Sequence, residues 1–224
     1  MSEETKFTCA NCPIGNCSTH KKVYPKDCLT LETDPDLVEL SKQKYLRSRK
    51  DRKIALTAAE IEGEFYGRAT RAEEILIFIK RMGFKKVGIA TCVGLLHECN
   101  TFAKIAKAKG IDLYGVACKV GSVDKTEIGI PDDTKLHPGC FEACCNPILQ
   151  AELLNRENTE LNIIMGLCVG HDTLFIKHSK APVTYLVVKD RVLCHNPVGA
   201  LYTSGSYYSR LIGPDLPKSK FDET

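Results

Sequence analysis

Apolar positions change their spacing twice along the chain. Asp34-Pro35 pairs an N-cap acid with a proline at the first helical position. It predicts a helix that runs to about Tyr45 and on into a basic stretch. Ile61, Phe65, Ala69, Ala72, Leu76 and Ile79 then recur at steps of three and four. That stripe predicts one continuous helix over 58–82, with Gly83 as its C-cap. From Lys86 onward the pattern turns into short apolar runs at 86–91, 111–118, 162–167 and 183–189, read as buried strands. Between them, Leu95, Cys99, Phe102 and Ala106 keep helical spacing up to Gly110. Asn146-Pro147 opens a helix to about Asn155, and 172–179 forms a short one.

Strands that alternate with helices and are apolar on both faces predict a parallel sheet covered on each side. The expected fold class is α/β: a Rossmann-like or flavodoxin-like three-layer domain with a mainly parallel sheet and right-handed crossovers. A helical lead and a cysteine-rich N-terminal metal module precede it. The expected boundaries are 1–33 for the cysteine-rich module, 34–213 for the helical lead with the α/β domain, and 214–224 for a loose tail. The stretch 119–139 has no periodicity and is long for a compact domain, which marks it as a functional loop.

At 224 residues the chain can bury a core without staples. Lys and Arg number 31 against 28 acids, so the net charge of +3 offers no global pull toward nucleic acid or an anionic membrane. The run 41–53 carries seven basic residues and one acid, but lacks aromatic interleaving beyond Tyr45, and is read as a solvated helical face. No uncharged apolar run approaches the roughly 20 residues of a membrane span. The opening Met-Ser-Glu-Glu-Thr-Lys has no apolar stretch for export, so the expected location is cytoplasmic.

Cysteine changes the picture, because twelve of them in a cytoplasmic chain point to metal or redox chemistry rather than to a disulfide framework. Cys9, Cys12, Cys17 and Cys28 fall within twenty residues, in a segment rich in Gly and Pro and poor in large apolar side chains. Such a segment cannot order itself by burial, and a Cys-x2-Cys pair lets two sulfurs face one metal from a tight turn. The spacing matches neither a zinc ribbon nor a ferredoxin run. The expected metal site is therefore these four cysteines, holding a four-iron, four-sulfur cluster in the first reading and zinc in the alternative. His20 is a substitute ligand.

A second group emerges once the strands are placed. Cys92, Cys118 and Cys168 end the first three strands, Cys194 lies just beyond the fourth, and Cys140, Cys144 and Cys145 precede a helix. Strand C-termini of an open parallel sheet share one edge, where ligands bind. Cys92, Cys145 and Cys168 also stand near helix N-termini, which favour a thiolate. Cys92, Cys118, Cys140, Cys145 and Cys168 are the expected cofactor-binding thiols, with Cys194 as an alternate. Cys92, Cys168 and His171 are the catalytic candidates. Cys99 lies on its helix's apolar stripe and is assigned to the core. His137 and His195 fall near the same edge, and Lys119 could hold an anion or depress a thiol's pKa. The chain has no Gly-x-x-x-x-Gly-Lys-Ser/Thr loop, no Gly-x-Gly-x-x-Gly after a strand and no Gly-x-Ser-x-Gly elbow.

Several motifs together carry a family likeness. They are His137-Pro138-Gly139-Cys140, Cys145-Asn146-Pro147-Ile148, Gly166-Leu167-Cys168-Val169-Gly170-His171-Asp172, and Lys189-Asp190-Arg191-Val192 with His195-Asn196-Pro197. The chain resembles, over nearly its whole length, the bacterial and archaeal family known as the domain of unknown function 1847, described as a predicted metal-binding protein. The N-terminal cysteine array fits that family too. Its pattern usually has an apolar residue where this chain has Cys144, so the resemblance favours Cys140 and Cys145 as ligands over Cys144. The expected function is metal binding at the N-terminal site with redox or sulfur-transfer chemistry at the sheet edge. The alternative is a non-enzymatic zinc protein that senses or carries a metal or small ligand. A redox partner protein and a homodimer are the partners this allows; a membrane and nucleic acid are not among them.

Overall fold

A computed structural model describes residues 8–19, 21 and 23–218. His20, the substitute ligand considered above, lies outside the described residues. The chain divides into two units, 1–60 and 61–224, with the boundary inside a helix.

In the first unit two single-turn 3₁₀ helices, Cys9–Asn11 and Asn16–Ser18, precede α1 (Leu29–Glu32), α2 (Pro35–Arg47) and the start of α3 (Arg49–Phe65). The Asp34 carboxylate accepts the Asp36 N–H at 2.8 Å, and Pro35 occupies the first turn of α2 as its sequence predicts. Ser48 ends α2 and its hydroxyl accepts the Asp51 N–H, which starts α3. The basic run 41–53 is therefore shared between two helices, and its side chains are mostly exposed.

The second unit holds the sheet. Its elements are α4 (Arg71–Met82), β1 (Val87–Thr91), α5 (Leu96–Ala108), β2 (Leu113–Ala117), α6 (Pro147–Arg156), β3 (Leu161–Met165), α7 (His171–His178), β4 (Val183–Val187) and α8 (Val198–Tyr202). All strand pairs are parallel and the spatial order is β2-β1-β3-β4. The α/β class with a parallel sheet is as expected. The two central strands, β1 and β3, are buried at every position, which is why they read as unbroken apolar runs. Ile79 of α4, Phe102 and Ala106 of α5, Leu154 of α6 and Phe175 of α7 complete the core around them.

One helix in the sequence reading is two in the structure. The stripe from Ile61 to Ile79 is interrupted after Phe65, where Gly67 takes φ +66° and α4 restarts at Arg71. Thr70 and Glu73 form a reciprocal capping box there, Glu73 Oε2 accepting the Thr70 N–H at 2.8 Å. Apolar spacing alone does not detect a break this short, because the turn returns the second helix to the same phase. Gly83 does cap α4, at φ +75° with its N–H donated to Ile79 and Lys80.

The connection from β2 to α6 is ordered from within. Lys135 is 3% exposed and its ammonium lies 2.8 Å from Asp124 and 2.9 Å from Asp132. Lys125 pairs with Glu142, and the Cys144 N–H donates to Val123 at 2.8 Å. The loop thus folds back on itself and delivers Cys145 to the end of β2, where the Asn146 N–H donates to the Cys118 carbonyl at 2.8 Å.

Candidate functional site

The chain passes from β1 to β2 on one side of the sheet and then crosses to β3 on the other. The connections leaving β1 and β3 therefore diverge, and the crevice outside their carboxyl ends is where ligands of open parallel sheets bind. Cysteines stand at this place. The Cys92 N–H donates to Met165 at 3.1 Å, and the Cys118 N–H donates to Thr91 at 2.9 Å, so both residues continue the sheet ladder by one step. From α6, the buried Gln150 amide donates to the carbonyls of Thr91 and Val116, at 3.2 and 2.7 Å. It thereby fixes the two strand ends from which these thiols project.

The Cys118 and Cys145 sulfurs are 3.7 Å apart. Cys118 is 2% exposed and receives the Val93 N–H at 3.3 Å. The hydrogen bond with Cys145 and a buried setting push the Cys118 thiol well above its ordinary pKa. Cys145 is its complement. The hydrogen bond with Cys118 lowers it to about 5, against the opposing effect of burial, and Lys119 and His171 act in the same direction. The two sulfurs share one hydrogen-bonded proton, and Cys145 is the more acidic of the pair.

Cations close the arrangement. The Lys189 ammonium is 3.5 Å from the Cys92 sulfur, and an Arg191 guanidinium nitrogen is 2.8 Å from the Cys168 sulfur. The His171 N–H donates to the Cys168 carbonyl at 2.9 Å, tying the first turn of α7 to that cysteine. Lys189 and Arg191, two residues apart after β4, thus each reach one cysteine of the edge. Gly166 makes room beside it: at φ +68° it has no side chain, and a Cβ there would meet Leu95 Cδ1 at 2.2 Å.

Of the sequence-derived set, the structure brings Cys118 and Cys145 into contact, places Cys92 beside Lys189 and Cys168 beside Arg191, and ties His171 to Cys168 through its backbone. Cys140 is exposed in the β2–α6 loop, and Cys194 is exposed in the turn after Arg191. There His195 accepts the Asp190 N–H at its Nδ1, and both Cys194 and His195 have positive φ. Cys99 is buried in the core as expected, and Cys144 is buried as well. Lys189 and Arg191 entered the sequence reading only within the motif Lys189-Asp190-Arg191-Val192 and were given no role there. Their signal was position, since a cation just past the last parallel strand must lie at the edge that holds the thiols.

In the first unit, Cys9 and Cys17 are exposed, Cys12 is partly buried and Cys28 is buried at the start of α1. Backbone N–H groups of Ile14 and Gly15 point at the Cys12 sulfur and lower its pKa, the Gly15 contact being 3.4 Å. Among the described residues no three His, Cys, Asp or Glu side chains stand together as a group able to hold a metal ion. No helix among them is long and apolar enough to cross a membrane.

Fold and site together define a parallel α/β protein with a thiol-lined sheet edge. The chain belongs to the family described as protein of unknown function (DUF1847), whose model matches residues 28–186. It is 46% identical over 200 residues to an uncharacterized protein of Methanocaldococcus jannaschii, a match that spans 89% of this chain and 95% of that relative. The family match encloses all four edge cysteines and Cys28. It starts after Cys9, Cys12 and Cys17 and stops before Lys189 and Arg191.

Proposed function

We propose that this is a cytoplasmic thiol-redox protein whose reactive centre is the ring of cysteines at the sheet edge, with a separate metal site in its N-terminal unit. The observation that carries the proposal is the Cys118–Cys145 pair, two sulfurs 3.7 Å apart of which the more accessible has its pKa lowered. A partly buried low-pKa thiol beside a fully buried high-pKa thiol suits a dithiol that attacks with one sulfur and resolves with the other. The sheet order β2-β1-β3-β4 fits a flavodoxin-like arrangement, in which the β1/β3 edge is the working edge.

Cys9, Cys12, Cys17 and Cys28 would hold the metal, an iron–sulfur cluster in the leading form of the proposal and zinc in its alternative. Four soft thiolate donors suit either, and the N–H groups aimed at Cys12 favour its anionic form. A segment without a core closes on its metal only when the metal binds, so the separated sulfurs are compatible with a site completed by the ion. Such a cluster supplies one-electron chemistry when bound; the edge residues hold and move protons between sulfurs.

Anaerobic purification followed by iron, zinc and sulfide analysis of single variants tests the division. Cys12→Ser and Cys28→Ser are expected to lose metal, while Cys118→Ser and Cys145→Ser retain it. Metal lost from the Cys118 and Cys145 variants, and kept in the other two, would overturn the assignment.

A further inference from the structure

Basic side chains accompany the thiols of the sheet edge. Lys119 and His171 act on Cys145, Lys189 reaches Cys92 and Arg191 reaches Cys168. Two carboxylates lie beside them, and both are engaged. Asp172 accepts the Tyr185 hydroxyl at 3.0 Å and the Thr173 N–H at 2.8 Å. Asp190 accepts the N–H groups of Val192 and Leu193, both at 2.8 Å. Neither forms an ion pair with Lys119, His171, Lys189 or Arg191 among the described residues. Lys119, Lys189 and Arg191 thus bring positive charge to the thiol-bearing edge. Cations on two separate connections, Lys119 after β2 and Lys189 with Arg191 after β4, suit a ligand that brings negative charge of its own.

We propose that the ring accepts a small disulfide bearing anionic groups. The inference rests on the dithiol reading above and adds the substrate class. The Cys145 thiolate attacks one sulfur of the substrate disulfide R–S–S–R; a Cys145–S–S–R bond forms and R–S⁻ leaves toward the cations. Cys118, 3.7 Å away, then gives up its proton and attacks the Cys145 sulfur. A Cys118–Cys145 disulfide forms and the second thiol departs as R–SH. Two electrons pass from the cysteine pair to the substrate, and the proton from Cys118 leaves with the product. In reverse the same steps oxidise an anionic thiol. Lys189 and Arg191 act as binding residues for the substrate's anionic groups, while Lys119 and His171 stabilise the thiolates that form.

The test compares two probes that differ in charge alone, dithiodipropionate as the dianion and its bis-amide as the neutral form. Both are reacted with the full chain under anaerobic conditions, and the Cys118–Cys145 disulfide is quantified by peptide mass mapping. The dianion is expected to react at least about tenfold faster at low ionic strength, with the advantage shrinking as salt is added. Arg191→Gln and Lys189→Gln should each bring the ratio of the two rates toward one, the amide serving as the reference within each variant. Equal rates for both probes in the unsubstituted protein, with the disulfide forming in each case, would overturn the substrate class and leave the dithiol in place. No Cys118–Cys145 disulfide from either probe would overturn both.

Discussion

A pH profile of alkylation at Cys145 is the sharpest consequence of the shared proton. The hydrogen bond with Cys118 is the largest influence lowering Cys145 to about 5, and Lys119 and His171 add to it. A low pKa raises the thiolate fraction but weakens the nucleophile, with a Brønsted coefficient of about 0.4–0.5. Relative to a free cysteine near pKa 8.5, the shift of about 3.5 units lowers intrinsic reactivity roughly 40-fold. At pH 7 the thiolate fraction rises about 30-fold, so the two effects nearly cancel and Cys145 looks ordinary. At pH 5.5 about three-quarters of Cys145 is thiolate against about one part in a thousand of a free thiol, leaving a net advantage of roughly 20-fold. The assay is iodoacetamide labelling from pH 4 to 9, with each cysteine followed by peptide mass spectrometry. The Cys145 rate should plateau above about pH 6, and Cys118→Ala should move its midpoint upward. A Cys145 rate still climbing through pH 8 in the unsubstituted protein, or a midpoint indifferent to Cys118→Ala, would refute the shared-proton account.

Three further outcomes follow from packing and charge. Gly88→Ala would place a methyl 2.3 Å from Asn162 Oδ1 and 2.9 Å from both Leu154 methyls in the central strand; thermal denaturation should show a loss of about 1–3 kcal/mol. Thr70→Ala removes the cap that restarts α4 and should cost about 1 kcal/mol, read as a Tm lower by about 2–4 °C. Lys135 holds the Asp124 carboxyl well below the usual carboxylate range. A depressed acid contributes order that is fully present above its unfolded pKa of about 3.9 and is lost as pH falls toward its folded value. Amides of the loop 124–142 should therefore exchange faster as the pH drops below about 4, and Lys135→Met should speed the same amides at neutral pH. Unchanged exchange in that variant would show that the ion pairs do not order the loop.

What was legible in the sequence is what local chemistry decides. Asp34-Pro35, Asn146-Pro147 and Gly83 announce helix ends because capping depends on a few adjacent atoms, and each does so here. Cys92, Cys118 and Cys168 could be placed at one edge because apolar runs locate parallel strands, and the ends of such strands coincide. The break between α3 and α4 carried its own marks, Gly67 and the Thr70–Glu73 box, but the uninterrupted apolar stripe overrode them. The strand read over 183–189 stops at Val187, which frees Lys189 to turn back onto Cys92. The pairing of Cys145 with Cys118 was out of reach of any local signal. It depends on a loop closed by Lys135, Asp124 and Asp132, three residues whose meeting is a tertiary event.

A redox titration of the anaerobic protein, with every cysteine mapped by mass spectrometry at each potential, tests the central claim most directly. The account predicts one reversible disulfide, Cys118 to Cys145, forming with a single midpoint while the buried Cys99 and Cys144 stay reduced throughout. Cys118 and Cys145 remaining reduced across the titration, or pairing with other cysteines in preference to each other, would contradict it.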